Sequence, residues 1–483
     1  MLTRAEALRA QRPGLADFIR TAIDATDGDD LSATTPEALE ARLTAAFERI
    51  GKNPPKKSEV HIGTGTGNTP TTIDIVSPDM PFIVDTALAA VRAAGGSARL
   101  LSHPVVFLAP DGSVSGRHEP GHAPISVLHI EIEPLGETET LRTELETAMG
   151  EVARAVRDWQ PMLERLRREA QSLAANRAGL PKAQVDEAVY FLGWLAENNF
   201  TFLGLREYRL EGKGDAAELV PVAESGLGIL EDPSVKFLRS GPDFVEMTPQ
   251  HLAFLADREP LLVTKANIRA RVHRRVHMDY VGIKLYGADG AVTGELRLVG
   301  LFTSQALATP HTEVPLIRRK VVEVMRRSGY EPDGHASRAL LAALDTYPRD
   351  ELFQIAVDEL AEYAHAVAAL YDRPRVRVLP RIDQFDNFVS ILVYIPRDRY
   401  DSDVRARVTA YLAERYDGRI SAYYPHFPEG DLVRLHVIIG RTGGPTPRPS
   451  RAELETSIED LSRSFGDRIA AAAPEPAEIA NFR

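Results

Sequence analysis

The chain has no cysteine among its 483 residues, which removes disulfides, thiolate zinc sites, iron–sulfur ligation and a cysteine nucleophile together. It is also short of positive charge. Its 57 Lys and Arg stand against 69 Asp and Glu, a formal net charge of −12, so it lacks the clustered positive field needed to neutralise duplex phosphates. Long apolar runs are missing too: the longest, such as Phe388 to Ile395, are strand-sized, far below the roughly 18 residues that span a bilayer. The start, Met1-Leu2-Thr3-Arg4-Ala5-Glu6, has no apolar core of a signal peptide. A cytoplasmic protein with neither nucleic acid nor membrane as partner is expected.

Catalytic motifs are equally scarce. Gly63-Thr64-Gly65-Thr66-Gly67-Asn68 lacks the third glycine of a dinucleotide fingerprint and the Lys-Ser/Thr of a phosphate loop, and it runs into another strand, so it reads as a hairpin. Gly112-Ser113-Val114-Ser115-Gly116 is offset from a nucleophile elbow and sits in a second hairpin. His273 and His277 have no carboxylate at metal spacing and read as a surface pair. Glu131 and Glu133 read as a solvated strand face, and Arg269, Arg271, Arg274 and Arg275 as one side of a two-faced strand. No catalytic, cofactor-binding or metal-ligating residue is assigned.

What the chain does have is a duplication. Ile73 to Ile132 runs strand, acid-x-Pro turn, helix, Gly, strand, Asp-Gly hairpin and strand, and Val389 to Ile439 repeats the plan. His129 and His436 are expected at matching outward positions in the last strands. The pattern predicts an α+β protein with an N-terminal helical segment over 1–55, a first α/β domain over 56–172 and a mostly antiparallel middle domain over 173–310. A helical connector over 311–372, a second α/β domain over 373–472 and a linker over 473–483 complete it. Within these, strands are expected at Leu100 to Leu108 and Ala270 to Tyr286. A helix from about Thr138 is expected to carry Val152, Val156, Trp159, Leu163 and Leu166 on one stripe, with Pro161 as a kink or restart. The last helix has Ser450 and Glu453 in a capping box and a stripe reaching Phe465 and Ile469.

One place offers a physical reason for ligand binding. In Asp79-Met80-Pro81-Phe82-Ile83 a turn feeds a helix whose first N–H groups could hold the carboxylate of an amino acid; alternatively Asp79 caps its own helix.

Several segments together carry a family likeness. Phe191 to Ala196, Phe200 to Gly204, Gly226 to Leu230, Leu262 to Asn267 and Val276 to Gly282 resemble the amino-terminal region of the large bacterial NAD-specific glutamate dehydrogenases. So do Gly300 to Ser304, Thr346 to Gln354 and Val393 to Tyr400, and the likeness runs nearly the whole chain in order. The resemblance implies tandem ACT-like (ferredoxin-like) domains flanking a PAS-like antiparallel sheet, with helical connectors. It also implies a regulatory and assembly segment, inactive alone, of an oxidoreductase that converts L-glutamate, water and NAD to 2-oxoglutarate, ammonium and NADH. NAD would serve the parent enzyme and no cofactor this segment. Expected partners are the catalytic domain of the same chain, further copies in a homo-oligomer such as a tetramer, and an amino-acid effector. Amino-acid-binding ACT domains commonly have glycine after the turn proline, where this chain has Phe82. The alternative is a stand-alone ACT/PAS sensor or scaffold without a catalytic domain.

Overall fold

Apolar residues on both faces of the first sheet decide what surrounds it. The computed structural model describes residues 2–463, apart from 177–178, 213, 237, 241–242, 246, 429 and 442–443. Helices α1 (Leu2–Leu8), α2 (Pro13–Asp24), α3 (Gly28–Ser32) and α4 (Pro36–Glu48) come first. They lead into strands β1 (Glu59–Gly63) and β2 (Thr71–Pro78), helix α5 (Ile83–Ala93), and strands β3 (Ala98–Ser102), β4 (Val105–Leu108), β5 (Val114–Ser115) and β6 (Ala123–Ile132). The sheet is antiparallel in the order β1-β2-β6-β4-β5, with β3 also on β6. Ile73, Ile75, Leu128 and Ile130 face α5 and the start of α6 (Glu139–Ala175), while Val76, Ile125 and Val127 face Leu15, Phe18, Leu39 and Leu43 of the leading helices. Burial on both faces also takes in the polar residues of β6, Ser126, His129 and Glu131. The strand expected over Leu100 to Leu108 is broken at His103-Pro104, where the proline has no N–H to continue the ladder.

Helix α6 runs unbroken through Pro161 for 37 residues and serves two cores. Leu141, Leu145 and Met149 pack in the first unit, whereas Val152, Ala155, Met162 and Leu166 pack on the middle domain. Trp159, expected on the same stripe, is 47% exposed.

The middle domain has α7 (Lys182–Trp194), β7 (Phe200–Glu211), β8 (Glu218–Pro221), β9 (Leu227–Gly228), β10 (Leu238–Ser240), β11 (Asp243–Val245), α8 (Pro249–Ala256), β12 (Leu261–Arg269), β13 (His277–Tyr286), β14 (Val292–Phe302) and α9 (Ser304–Ala308). Its main sheet is antiparallel in the order β12-β13-β14-β7-β8, with β9 on β7. At Gly204 a side chain would collide with Ile229 and Leu230, and Gly228, at φ +61°, gives its N–H to the Asp158 carboxylate at 2.8 Å. That is the local reason for two of the glycine-bearing segments quoted above. The strand expected from Ala270 starts only at His277, because residues 271–276 form a bend in which His273 takes φ +64°.

Helices α10 (Ile317–Ser328), α11 (His335–Thr346), α12 (Arg349–Gln354) and α13 (Val357–Asp372) lead to the second unit: β15 (Arg377–Ile382), β16 (Phe388–Pro396), α14 (Ser402–Arg415), β17 (Arg419–His426), β18 (Leu432–Gly440) and α15 (Arg451–Leu461). Its sheet order, β15-β16-β18-β17, reproduces β1-β2-β6-β4 of the first unit. Both units therefore share a ββαββα plan, the first with its third strand split into β3 and β4 and the short β5 added. One sheet face packs on α14 and α15 and the other on α13 and the middle domain. Ser450 accepts from the Glu453 N–H as expected of the capping residue, but the Glu453 carboxylate pairs with Arg415 instead of returning to close the box. Phe465, Ile469 and the 473–483 stretch lie outside the described residues.

Candidate functional site

The arginine-rich bend after β12 touches both α/β units. Arg271 reaches Glu151 at 2.8 Å and Glu144 at 3.4 Å on α6, and Arg275 reaches Glu144 at 2.6 Å. His273 receives the first unit: its N–H donates to Thr86 Oγ1 at 3.0 Å, its ring meets Asp85 at 2.9 Å, and the Phe82 ring packs on it at 5.1 Å. Arg269 bonds to the Ser421 carbonyl of β17, and His277 Nε2 to Ser421 Oγ at 2.8 Å. Burial, with Arg269 and Lys265 nearby, lowers His277 to about 4, so it is a neutral hydrogen-bonding group. The arginines expected on a solvated strand face, and the histidines expected as a surface pair, instead join three domains. A strand would have kept Arg269 and Arg271 on one face; the bend lets Arg269 reach β17 and Arg271 reach α6.

Below this bend lies a buried ion cluster. Lys265 of β12 pairs with Asp279 of β13 at 2.6 Å and with Asp350 of α12 at 3.7 Å, and Asp279 also accepts the Phe302 N–H at 3.0 Å. Burial would lower the Lys265 ammonium, but Asp279 and Asp350 outweigh it and raise it, so it stays charged. The next residue, Glu351, forks onto Arg381 of β15 at 2.7 and 2.9 Å and lies 3.8 Å from His436. Burial opposes the charge of Glu351, and Arg381 overrides it to hold the carboxyl below its ordinary value. Phe353 of the same short helix stacks on Phe302 at 4.7 Å and 8°. A cavity of about 60 Å³ at this joint is lined by Lys265, His277, Asp350, Arg419, Ser421 and Tyr424.

The first unit has its own cluster. His129 contacts Asp74 at 2.5 Å and Glu131 at 3.4 Å, and Arg42 and Arg49 of the helical lead-in reach Glu131 and Asp74. Glu131, read from the sequence as solvated, is 4% exposed, because the leading helices cover that face. Burial disfavours the His129 imidazolium, but the hydrogen bonds to Asp74 and Glu131 prevail and raise it to about 9.

In the Asp79–Ile83 turn the helix starts at Ile83 and the preceding residue is Phe82, at φ +73° and without a side-chain cap. Asp79 therefore does not cap α5, and Pro81 lies before the helix rather than in its first turn. Phe82 and Met80 pack against the middle domain's core, and Pro81 and Phe82 line an apolar cavity of about 350 Å³ with Val156, Trp159, Leu163 and Phe202. Gly63 to Asn68 join β1 to β2 in a hairpin with no helix behind it, so the chain's own glycine run does not fit a dinucleotide. Among the described residues no group of acids and histidines could hold a metal, and no helix is long and apolar enough to cross a membrane.

Four of the quoted segments meet in the ion cluster: those carrying Lys265, Asp279, Phe302 and Glu351. Comparison with known proteins explains why they travel together. Family models for the ACT1 domain, helical motif 1 and ACT2 domain of glutamate dehydrogenase match residues 18–148, 314–373 and 377–466. The NAD-specific glutamate dehydrogenase of Pseudomonas aeruginosa is 31% identical over 415 residues, 83% of this chain and 25% of that protein. This chain belongs to the amino-terminal region of the NAD-specific glutamate dehydrogenase family. The Halomonas elongata member is 32% identical over 430 residues, 85% of this chain and 26% of that one, and the Mycobacterium tuberculosis member 27% identical over 368 residues, 72% and 21%. The chain thus spans about a quarter of the length of these relatives. A solved structure, the Erythrobacter litoralis EL346 blue-light activated histidine kinase, matches at 12% identity over 53% of this chain and 98% of that one, with a TM-score of 0.14, which carries no fold argument. The ACT1 match begins inside the helical lead-in, in keeping with the core those helices share with the first sheet.

Proposed function

We propose that the chain is the regulatory and assembly region of an NAD-dependent glutamate dehydrogenase, acting in the cytoplasm, whose parent polypeptide converts L-glutamate, water and NAD to 2-oxoglutarate, ammonium and NADH. The observation that carries this reading is the joint itself: segments shared with the family converge on contacts that tie the middle domain to the helical connector and the second ACT unit, beside a bend that holds the first. Such a joint couples domains because it has few alternative arrangements once its charges are desolvated. In this reading the Asp79–Ile83 turn is a docking element, with Phe82 seated on His273, and an amino-acid effector binds there only if Phe82 withdraws.

The antiparallel middle sheet, with its helical cover, supports the PAS-like assignment of the central domain. Self-association is supported by β17, an edge strand that leaves Ile420, Tyr423, Tyr424 and, just beyond it, Phe427 exposed. The catalytic residues and the NAD site belong in this reading to the remainder of the parent chain.

The test is a paired assay. Residues 1–483 should show no NAD-dependent glutamate oxidation, and the longer polypeptide encoded by the same reading frame should show it. Turnover that stays with the 483-residue chain through further purification, or a frame that ends without a dehydrogenase region, overturns the reading.

A further inference from the structure

Three cross-strand neighbours of the second ACT sheet form a row: Tyr394 on β16 pairs with Arg434 on β18, which pairs with His426 on β17. The row lies on the sheet face covered by α11 and α13, and it borders a cavity of about 390 Å³ whose apolar wall includes Val367, Leu370 and Leu432. That volume falls within the range of small-molecule sites, roughly 300 to 1,000 Å³. Nε and Nη1 of Arg434 and the hydroxyl of Tyr394, whose residue is 4% exposed, are buried with no partner of full hydrogen-bond geometry, although the two side chains lie close enough to act on each other.

An arginine keeps its charge at any physiological pH, so a guanidinium with orphaned donors is costly to hold this way. Neighbouring carboxylates do not remove that cost: Asp350 acts on Arg434 only through space and is itself committed to Lys265, and Asp431, which also lines the cavity, is exposed and not among the charges that act on Arg434. Arg349 gives no relief, since it is a second cation near enough for Arg434 to lower it, and its own donors are spent on the carbonyls of Thr309, Asp345 and Tyr347. At the open end of the row, burial and Arg434 lower His426, which therefore adds no second charge at neutral pH. One desolvated cation, one phenol donor and an apolar wall are complementary to a single class of ligand.

We propose that this cavity is a binding site for a small carboxylate with an apolar body, the carboxylate on Arg434 and the Tyr394 hydroxyl and the body against Val367, Leu370 and Leu432. Its position between the helical motif and the ACT2 sheet means that a ligand bridges the two modules. Only the consequence for regulation rests on the function proposed above. The binding itself is tested on the 483-residue chain without any activity readout, so its failure and the failure of the regulatory reading are distinguishable.

The probe is phenylacetate, with its neutral isostere phenylacetamide and inorganic phosphate as controls, in calorimetric titration and thermal melts up to roughly 10 mM, a scale suited to weak small-ligand affinities. Phenylacetate is expected to bind saturably and raise the melting temperature, while the amide and phosphate do neither. Arg434→Gln should weaken phenylacetate binding at least tenfold. Should that variant fold poorly, Tyr394→Phe, which leaves the ring in place, should still weaken it several-fold. Absence of phenylacetate binding, equal binding of the amide or phosphate, or unchanged affinity in a folded Arg434→Gln or Tyr394→Phe variant overturns the proposal.

Discussion

His129 and His436 occupy one register position of the duplicated sheet, each four residues along the strand from the pairs Pro78/Ile125 and Pro396/Leu432, and are held in opposite charge states. Across the strand His129 meets Asp74, whereas His436 meets Leu392. Both are buried. Burial opposes charge at each, but only His129 has hydrogen-bonded carboxylates close enough to reverse it; His436 is lowered despite Glu351 and Asp350, and hydrogen-bonds to Ser390 at 2.8 Å.

This makes His129 a source of pH-dependent stability. Its folded value of about 9 lies above the ordinary imidazole value of about 6.5, so the stabilisation is fully present below about pH 6.5 and is lost as pH rises through about 9. The difference corresponds to on the order of 3 kcal/mol. Urea unfolding across that range should show a slope in the parent chain that flattens in His129→Gln. Equal slopes in the two proteins would contradict the assignment.

The Glu351–Arg381 fork should behave as a buried pair. Glu351→Gln leaves a buried guanidinium without its counter-charge and should cost about 3 to 5 kcal/mol, read as a lower denaturant midpoint. Glu351→Leu combined with Arg381→Met should recover much of that loss, because the desolvation of both charges is removed together. A double variant as unstable as the single one would show that the fork has no such compensation.

Phe82 separates packing from strain. Truncation to alanine should cost about 1 to 3 kcal/mol through lost contact with His273 and the middle core. Glycine loses the same contact but accepts φ +73° freely, so Phe82→Gly should be more stable than Phe82→Ala by about 1 kcal/mol. Thermal melts in which the alanine variant equals or exceeds the glycine variant would rule out strain at this turn.

Assembly through β17 should depend on its exposed aromatics. Sedimentation of the 483-residue chain at tens of micromolar, roughly the scale of ordinary interface affinities, should show oligomers, and Tyr424→Glu with Phe427→Glu should shift them toward monomer. A parent chain that sediments only as monomer, or oligomers unmoved by the charges, would remove β17 from the interface.

What the sequence by itself determined is what local chemistry can carry: the helix stops, the hairpins, the period of each stripe and the duplication, all set by residues a few positions apart. It placed β16, the strand that opens the second repeat at Val389, well because its apolar run and following turn are unambiguous. Of the leading strands, β15 escaped because it is short and reads as neither clean alternation nor a continuous apolar run, while β1 was legible only as the strand before the Gly63 hairpin. Only the tertiary structure decided the rest. Whether Glu131 meets water depends on helices nearly a hundred residues earlier, and whether the arginines of 269–275 are solvated depends on Glu144, Glu151 and Ser421, which lie far away in sequence. A charged side chain carries the same local signal on a surface and in a desolvated pair, so its role is fixed by the partner the fold brings to it.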